Sequence, residues 1–251
     1  MDNFTQFQNQ CAREIESQGQ CDEAISLSHQ WMGLPSLIHY SYHFTWLGRP
    51  IIQYPQDIVA MQQIIFNVKP DLIIETGIAH GGSLIFYASM LELNAICGGP
   101  TKHQVLGIDV DIRNHNRLAI ESHPLYKRGN ITLLEGSSID SLTINKVYDI
   151  AKNYNSVMVL LDSNHTHDHV YSELQAYAHL TSIGSYCVVF DTIVEFMPSD
   201  AYPDRPWSKG NNPFTAVKTF LSESDNFIAD KGLDNSLLIS VAPNGYLRKV
   251  K

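Results

Sequence analysis

Positive charge and cysteine are both scarce in this sequence. Its 251 residues include 17 lysines and arginines against 26 aspartates and glutamates, which leaves a formal net charge of −9. This negative surplus disfavours a broad surface for a polyphosphate backbone, so we do not expect nucleic acid as a partner. The four cysteines lie far apart with no Cys-x-x-Cys spacing. Their spacing argues against a disulfide framework and against a structural zinc site.

Long apolar runs are also absent. No run approaches the length that a membrane-spanning helix needs, and the first residues lack the basic stretch and apolar core of a secretion signal. We therefore expect a cytoplasmic protein without a membrane span. Because 44% of the residues are hydrophobic and 17% are charged, the chain can bury one substantial core or two modest ones.

From about Asp71 onward, short apolar runs alternate with longer amphipathic stretches. This rhythm is typical of β-α units around a mostly parallel sheet. The predicted strands are Leu72–Thr76, Val105–Asp109, Ile131–Glu135, Val157–Asp162 and Tyr186–Asp191. The predicted helices are Ser83–Leu93, Arg113–Ser122, Ser138–Ala151, Asp168–Leu180 and Pro213–Ser222.

The two ends of the chain depart from this rhythm. Phe227–Ala229 and Leu237–Val241 follow one another with no predicted helix between them, which indicates an antiparallel hairpin at one edge of the sheet. The N-terminal portion has its own helical pattern and ends in a predicted helix over Asp57–Val68, which Lys69-Pro70 terminates. We therefore predict a helical cap over residues 1–69 and a main domain over residues 70–251.

A glycine-rich turn follows the first predicted strand. Ligands of open α/β sheets bind at this end of a strand, and the next helix offers free N–H groups to a carboxylate or phosphate. Read as Gly77-x-Ala79-x-x-Gly82, the turn nearly matches a dinucleotide fingerprint, so a nicotinamide cofactor stays open. The candidate cofactor-binding residues of this turn are Glu75, Gly77, Gly81, Gly82 and Ser83.

Polar residues at the ends of the first three predicted strands suit a nucleoside-bearing amino acid such as S-adenosylmethionine. Asp109 would accept the ribose hydroxyls, while Glu75 would attract the ammonium group. Ser137 and Ser138 would face the adenine ring. Because this ligand carries no phosphate, it needs no turn wide enough for pyrophosphate. The competing interpretation is that Glu75 and Asp109 only cap strand ends and helix starts.

The fourth and fifth predicted strands end in Asp162 and Asp191. If these strands are neighbours in a parallel sheet, both carboxylates emerge at one edge and can share a Mg²⁺ or Ca²⁺ ion. Asp162 is also a candidate for the cofactor site. His165, three residues further on, would then stand near an ion-bound hydroxyl as a general base.

Three of the 11 histidines alternate within five residues, at His165, His167 and His169. We expect His167 and His169 to be part of a solvated N-terminal helix turn, capped by Thr166 or Asp168. A 2-His-1-carboxylate iron site is the sharper alternative. The Met197–Asn212 segment, which includes Trp207, reads as a long loop beside this end of the sheet.

Several motifs occur in one order and together resemble the cephalosporin hydroxylase / rhamnosyl O-methyltransferase family. The resemblance covers about residues 40–250 and leaves out the first forty. Its motifs are Trp46–Asp57, Pro70–Ser83, Gly107–Arg113, Leu161–Val170 and Pro243–Arg248.

The resemblance implies a Rossmann-like class I methyltransferase fold with a seven-stranded sheet that uses S-adenosylmethionine and, in several members of the family, a bound Mg²⁺. Glu75, Gly77 and Asp109 match cofactor positions of the family. Asp162 and Asp191 match its metal ligands, and His165 matches its base.

One position departs from the family pattern, because Phe190 stands where the family has an acidic residue beside Asp191. This departure predicts weaker metal binding, a replacement ligand such as Glu195, or a metal-free site.

The predicted activity is methyl transfer from S-adenosylmethionine to a hydroxyl of a small polar acceptor. The resemblance implies a sugar of a glycoconjugate or glycosylated natural product as the acceptor. We also expect a homo-oligomer. Two alternatives from other classes are an iron-dependent hydroxylase and a catalytically decayed cofactor-binding protein.

Overall fold

The computed structural model describes residues 2–37 and 39–251 of the chain. Two helices come first, followed by a short antiparallel hairpin and a third helix. Their bounds are α1 (Asn3–Gly19), α2 (Asp22–Met32), β1 (Phe44–Trp46), β2 (Arg49–Ile51) and α3 (Pro55–Val68).

The remainder alternates strands and helices as the sequence predicts. Its first half contains β3 (Leu72–Thr76), α4 (Gly82–Ile96), β4 (Gln104–Asp109), α5 (Asn114–Ser122), β5 (Ile131–Glu135) and α6 (Ser141–Ala151). Its second half contains β6 (Val157–Leu161), α7 (His167–Tyr177), β7 (Tyr186–Val189), α8 (Pro213–Glu223), β8 (Phe227–Ala229), α9 (Lys231–Leu237) and β9 (Tyr246–Lys249).

The main sheet has seven strands in the order β5-β4-β3-β6-β7-β9-β8. The first five run parallel, whereas β9 pairs antiparallel with both β7 and β8. Every residue of β3 and β6 is buried, because apolar clusters cover both faces of the sheet. The mostly parallel seven-stranded sheet with an antiparallel edge is therefore confirmed.

The prediction for the second strand of the edge hairpin is wrong. Helix α9 lies where no helix was expected, and the last strand is Tyr246–Lys249 rather than Leu237–Val241. The Asp230 side chain starts the helix by accepting hydrogen bonds from the N–H groups of Gly232 and Leu233. The apolar residues that suggested a strand instead pack into the core, where Val241 is buried.

Side-chain caps fix the first residues of two helices, one of which begins later than predicted. Helix α6 begins at Ser141 rather than Ser138, because Asp140 accepts from the N–H of Leu142. Helix α8 begins at Pro213 as predicted, with Asn212 accepting from the N–H of Thr215.

The N-terminal segment packs against the main sheet through specific contacts. The Gln18 amide donates to the carbonyl of Asn235, which joins α1 to α9. A methyl group on Gly82 would overlap the carbonyl oxygen of Pro50, so β2 lies directly on the start of α4. The domain boundary between residues 69 and 70 stays a prediction. Within residues 2–37 and 39–251, no helix combines the length and apolar character needed to cross a membrane.

Candidate active site

Four acidic residues meet at the carboxyl edge of the sheet. Glu75 lies in β3 and Asp109 ends β4, while Asp162 follows β6 and Asp191 follows β7. These strands are neighbours in the order β4-β3-β6-β7 and run parallel. The strand order therefore places these carboxylates at one edge of the sheet, as predicted.

The glycine-rich turn is shaped by contacts within the chain. Gly77 and Gly81 have φ angles of 81° and 78°, which favour glycine. A methyl group on Gly77 would overlap the carbonyl oxygen of Asp162, and one on Gly81 would overlap Ile120. Close packing of backbone on backbone therefore explains Gly77 without a ligand.

Glu75 is buried beneath this turn, with only 1% of its surface exposed. The Ser83 hydroxyl donates to Glu75 Oε2 over 3.0 Å. Burial raises the pKa of Glu75 well above its ordinary value, the Ser83 bond opposes the rise, and the charges of Asp162 and Asp109 add to it. Glu75 therefore lies under the site as an enclosed carboxyl group.

Asp109 is held by two backbone donors. Its Oδ2 accepts from the N–H of Ile78 over 3.0 Å, and its Oδ1 accepts from the N–H of Asp111 over 3.1 Å. The carboxylate is half-buried. Because each carboxylate oxygen can accept more than one hydrogen bond, Asp109 keeps capacity for the hydroxyl donors of a ligand.

The two serines after β5 differ in their surroundings. Ser138 is buried, its Oγ lies 3.1 Å from His169 Nε2, and its carbonyl accepts from the Tyr177 hydroxyl. The Ser137 hydroxyl has no hydrogen-bond partner in residues 2–37 and 39–251. Of the two hydroxyls predicted to face adenine, Ser137 is the one left free.

Asp162, His165 and Asp191 form a compact group whose potential ligand atoms all lie within 4.8 Å of one another. His165 Nε2 is 3.7 Å from Asp162 Oδ1 and 3.4 Å from Asp191 Oδ2. Gln53 Nε2 donates to Asp162 Oδ2 over 3.3 Å. The structure thus brings together the predicted base and both predicted metal ligands, which we name the edge cluster.

The edge cluster concentrates charge among three half-buried side chains. Burial is the main cause that raises the pKa of Asp162 to about 7; His165 opposes this rise and Asp191 adds to it. Burial alone would lower the pKa of His165, but Asp191 and Asp162 together raise it to about 9. The Trp207 ring lies 4.7 Å from the His165 ring.

Phe190, which replaces an acidic residue of the family pattern, and Glu195, the predicted substitute ligand, both lie outside the edge cluster. Phe190 is fully buried in the core. Glu195 Oε2 accepts from the N–H of Gly210 and the amide of Asn212, over 2.9 and 2.6 Å. Glu195 therefore fixes the loop beside the site and does not join the edge cluster, so the expectation of a replacement ligand at Glu195 is not met.

The sequence predicts that His167 and His169 are solvated, but both side chains contact other residues of the protein. His167 Nδ1 lies 2.8 Å from the Thr215 hydroxyl. His169 Nε2 contacts Ser138 and Ser163, each over 3.1 Å, and lies 3.5 Å from Glu173 Oε1. Thr166 is the N-cap residue of α7, but its side chain makes no capping bond.

The iron-site alternative requires two histidines and one carboxylate. Among the described residues, one group with metal-ligand spacing is found, and it contains one histidine and two carboxylates. The arrangement does not match the 2-His-1-carboxylate pattern of iron oxygenases.

Sequence reasoning missed two buried polar residues here, Gln53 and Glu173. Gln53 interrupts the apolar stretch Ile51–Tyr54, and that interruption was the available signal. Glu173 is fully buried on α7 and its Oε1 accepts from Ser163 over 2.7 Å. Its position, two turns into a helix, carried no sequence signal.

A family model described as Rhamnosyl O-methyltransferase/CmcI matches residues 38–250. The rhamnosyl O-methyltransferase of Mycobacterium tuberculosis (strain H37Rv) is 27% identical over 205 residues, which cover 81% of this chain and 77% of that protein. The rhamnosyl O-methyltransferase of Mycobacterium leprae is 25% identical over 205 residues, 81% of this chain and 82% of that protein.

Solved structures of CmcI share the fold. The apo structure superposes with a TM-score of 0.59 at 22% identity, covering 84% of this chain and 77% of that one. The Mg-SAM structure gives a TM-score of 0.58 at 21% identity, covering 84% of this chain and 78% of that one. Because the family model spans most of the chain, this protein belongs to the rhamnosyl O-methyltransferase/CmcI family.

Proposed function

We propose that this protein transfers a methyl group from S-adenosylmethionine to a hydroxyl group of a small sugar acceptor, in the cytoplasm. One observation carries the proposal. His165 Nε2 lies 3.4 and 3.7 Å from two carboxylates at the sheet edge where the glycine-rich turn also ends. The names of the mycobacterial relatives support a sugar hydroxyl as the acceptor.

The donor side of the site fits S-adenosylmethionine by the chemistry of its residues. Asp109 is fixed by two backbone N–H groups and retains acceptor capacity, which suits ribose hydroxyls. The free Ser137 hydroxyl suits the adenine ring. Burial favours the neutral form of Glu75 beneath the turn, and the ammonium group of a bound ligand would favour its carboxylate form. When bound, S-adenosylmethionine supplies an electrophilic methyl group attached to a sulfonium.

The edge cluster fits a divalent cation. Carboxylate oxygens are the ligands that Mg²⁺ prefers, and among the described residues His165 is the basic side chain paired with Asp162 and Asp191. Asp162 and Asp191 would hold the ion. When bound, Mg²⁺ lowers the pKa of a nearby hydroxyl group.

The chemical step needs a base on the acceptor side. Asp191 and Asp162 raise the pKa of His165 to about 9, and a cation bound to these carboxylates would offset that effect. His165 Nε2 would then accept the proton of the acceptor hydroxyl while the methyl group passes from the sulfonium, which becomes a thioether, to the hydroxyl oxygen. Trp207 lies against His165, so the Met197–Asn212 loop limits the access of water to this nitrogen. Glu195 holds that loop in place through Gly210 and Asn212.

Calorimetric titration of the full chain with S-adenosylmethionine and, separately, with NAD tests the donor. We expect S-adenosylmethionine to bind and NAD not to bind. Binding of NAD alone would overturn the proposal and favour the dinucleotide interpretation of the turn. Methylation assays across a panel of rhamnosides and other glycans test the acceptor. Donor binding without transfer to any glycan would instead indicate a decayed enzyme.

We also propose that the protein is a homo-oligomer. The support is an exposed apolar face on α1, a helix that buries none of its residues and exposes 67% of Phe4 and 62% of Phe7. Light scattering on the purified chain tests this, and a monomer at micromolar concentration would contradict it.

A further inference from the structure

The Gln53 side chain occupies an unusual position beside the edge cluster. It lies between β2 and α3, and only 6% of its surface is exposed. Its Nε2 donates to Asp162 Oδ2 over 3.3 Å. Its Oε1 is buried and has no hydrogen-bond partner within the described chain.

A buried amide oxygen without a partner is unfavourable, so such groups in folded proteins usually have a donor or an ion nearby. The amide nitrogen and oxygen of Gln53 are bonded to the same carbon. Since the nitrogen touches Asp162, the unpartnered oxygen lies next to the same carboxylate. No cationic side chain contacts it among the residues described.

Two carboxylates supply the oxygen ligands of the edge cluster. Phe190, next to Asp191, is fully buried in the core and offers no oxygen. Glu195, the nearest substitute along the sequence, is occupied by Gly210 and Asn212. The unpartnered amide oxygen of Gln53, whose nitrogen contacts Asp162, is therefore a candidate oxygen ligand at this site.

We propose that Gln53 is a ligand of the cation, binding through Oε1 beside Asp162 and Asp191; the inference rests on the proposed function. Turning the amide about its last bond exchanges the nitrogen for the oxygen. The hydrogen bond to Asp162 is then replaced by attraction of both groups to one ion. Amide oxygens are accepted ligands of Mg²⁺ and Ca²⁺.

A neutral ligand changes the charge of the site. Asp162 and Asp191 supply two negative charges, which match a divalent ion. A third carboxylate would leave the occupied site with a net negative charge. The amide therefore completes the set of oxygen ligands while keeping the affinity for the ion below that of a three-carboxylate site.

Titration of the metal-free full chain with Mg²⁺ by calorimetry tests the affinity. We expect Gln53→Leu to weaken binding by at least about 10-fold and Gln53→Glu to tighten it. Gln56→Leu is the matched control, because Gln56 also has a buried, unpartnered Oε1 but does not contact Asp162. This control should bind Mg²⁺ as the unchanged chain does. Thermal unfolding of each variant confirms that it is folded.

A spectroscopic measurement separates a ligand from a residue that only orients Asp162. With Mn²⁺ as probe and ¹³C-labelled glutamine amide carbons, electron-nuclear double resonance reports carbons bonded to a ligand oxygen. We expect one strongly coupled carbon, lost in Gln53→Leu and retained in Gln56→Leu. No coupled carbon, although Mn²⁺ binds in a manner that requires Asp162 and Asp191, would overturn the role of Gln53 alone.

A second outcome bears on the proposed function as well. If the unchanged chain binds neither Mg²⁺ nor Mn²⁺, the ligand role of Gln53 and the cation in the proposed function are both wrong. Binding of S-adenosylmethionine, measured in the same samples, then still decides the methyl donor independently.

Discussion

A buried carboxylate and a half-buried pair of carboxylates in this molecule have opposite surroundings. Asp57 on α3 accepts hydrogen bonds from the Ser240 and Tyr246 hydroxyls at Oδ1, over 2.6 and 2.7 Å, and from the N–H of Val241 at Oδ2, over 3.0 Å. The edge cluster instead places one carboxylate against another, with a histidine as the neighbouring donor.

The difference teaches how to distinguish a structural carboxylate from a functional one. The donors around Asp57 come from the segment before β9 and from β9 itself, so the bonds join α3 to the far end of the chain. At the edge cluster, like charges lie close together and few donors offset them. Such an arrangement is stable only when a proton or a cation neutralises part of the charge.

Removing the imidazole from the edge cluster should give the largest effect. We expect His165→Ala to lower kcat by about 100- to 10,000-fold, because a positioned general base contributes about that much. The affinity for S-adenosylmethionine should not change, since His165 lies on the acceptor side. His167→Ala is the control, because His167 faces Thr215 and should retain turnover. Equal turnover in His165→Ala and the unchanged enzyme would remove His165 as the base.

Replacing Asp57 should lower the stability of the protein far more than replacing Asp191. Asp57→Ala leaves three buried donors without a partner, and we expect the free energy of unfolding to fall by about 3–5 kcal/mol. Asp191→Asn removes a like charge next to Asp162, and asparagine tolerates the φ of 56° at this residue. We expect a change below about 1 kcal/mol in that variant. Urea unfolding measures both, and equal losses would erase the contrast.

The pH dependence of stability should report on Asp57. Burial raises its pKa from 3.8 to about 6; bonds from Ser240, Tyr246 and Val241 oppose the rise, and Asp191 adds to it. The folded state therefore holds this proton more tightly than the unfolded state. The contribution to stability is present below about pH 4 and is lost as the pH rises to about 6, by up to about 3 kcal/mol.

The variant Asp57→Asn isolates this contribution. An amide does not titrate, so the free energy of unfolding should change less between pH 4 and pH 6 in this variant than in the unchanged protein. Tyr246 and Tyr54, which also lie near Asp57, titrate far above this range. Parallel pH profiles for the two proteins would show that Asp57 has no part in the dependence.

The aromatic side of the edge cluster should give the smallest effect. Trp207→Ala removes the ring beside His165, and we expect the KM for the acceptor to rise by about 10-fold, with a smaller change in kcat. The affinity for S-adenosylmethionine serves as the internal control. A fall in kcat at unchanged KM would mean that Trp207 positions His165 rather than the acceptor.

The sequence was sufficient for the parts of the fold that follow from local pattern. The parallel strands were predictable because their apolar runs are covered on both faces, and their ends placed Asp162 and Asp191 at one edge. The last strand was not predictable, because the apolar residues of Leu237–Val241 pack into the core and do not pair with a neighbouring strand. A cap at Asp230 started a helix that the apolar pattern did not show.

The site was predictable where chemistry follows strand order and not where it depends on distant parts of the chain. Gln53 reaches Asp162 across 109 positions of sequence. His169 and Glu173 join Ser138 to Ser163 only because α7 lies across both turns. Glu195 accepts hydrogen bonds from Gly210 and Asn212 because the Met197–Asn212 loop folds back on itself, and no local sequence pattern predicts that path.

The contact between Gly77 and Asp162 joins the glycine-rich turn to the edge cluster. Their backbones touch where a single added methyl group would not fit. The sheet therefore fixes the distance between the glycine-rich turn and the start of the edge cluster. In the proposed function, the turn binds the methyl donor and the edge cluster binds the cation. Changes in the Met197–Asn212 loop leave this distance untouched, so the same catalytic geometry can serve acceptors of different shape.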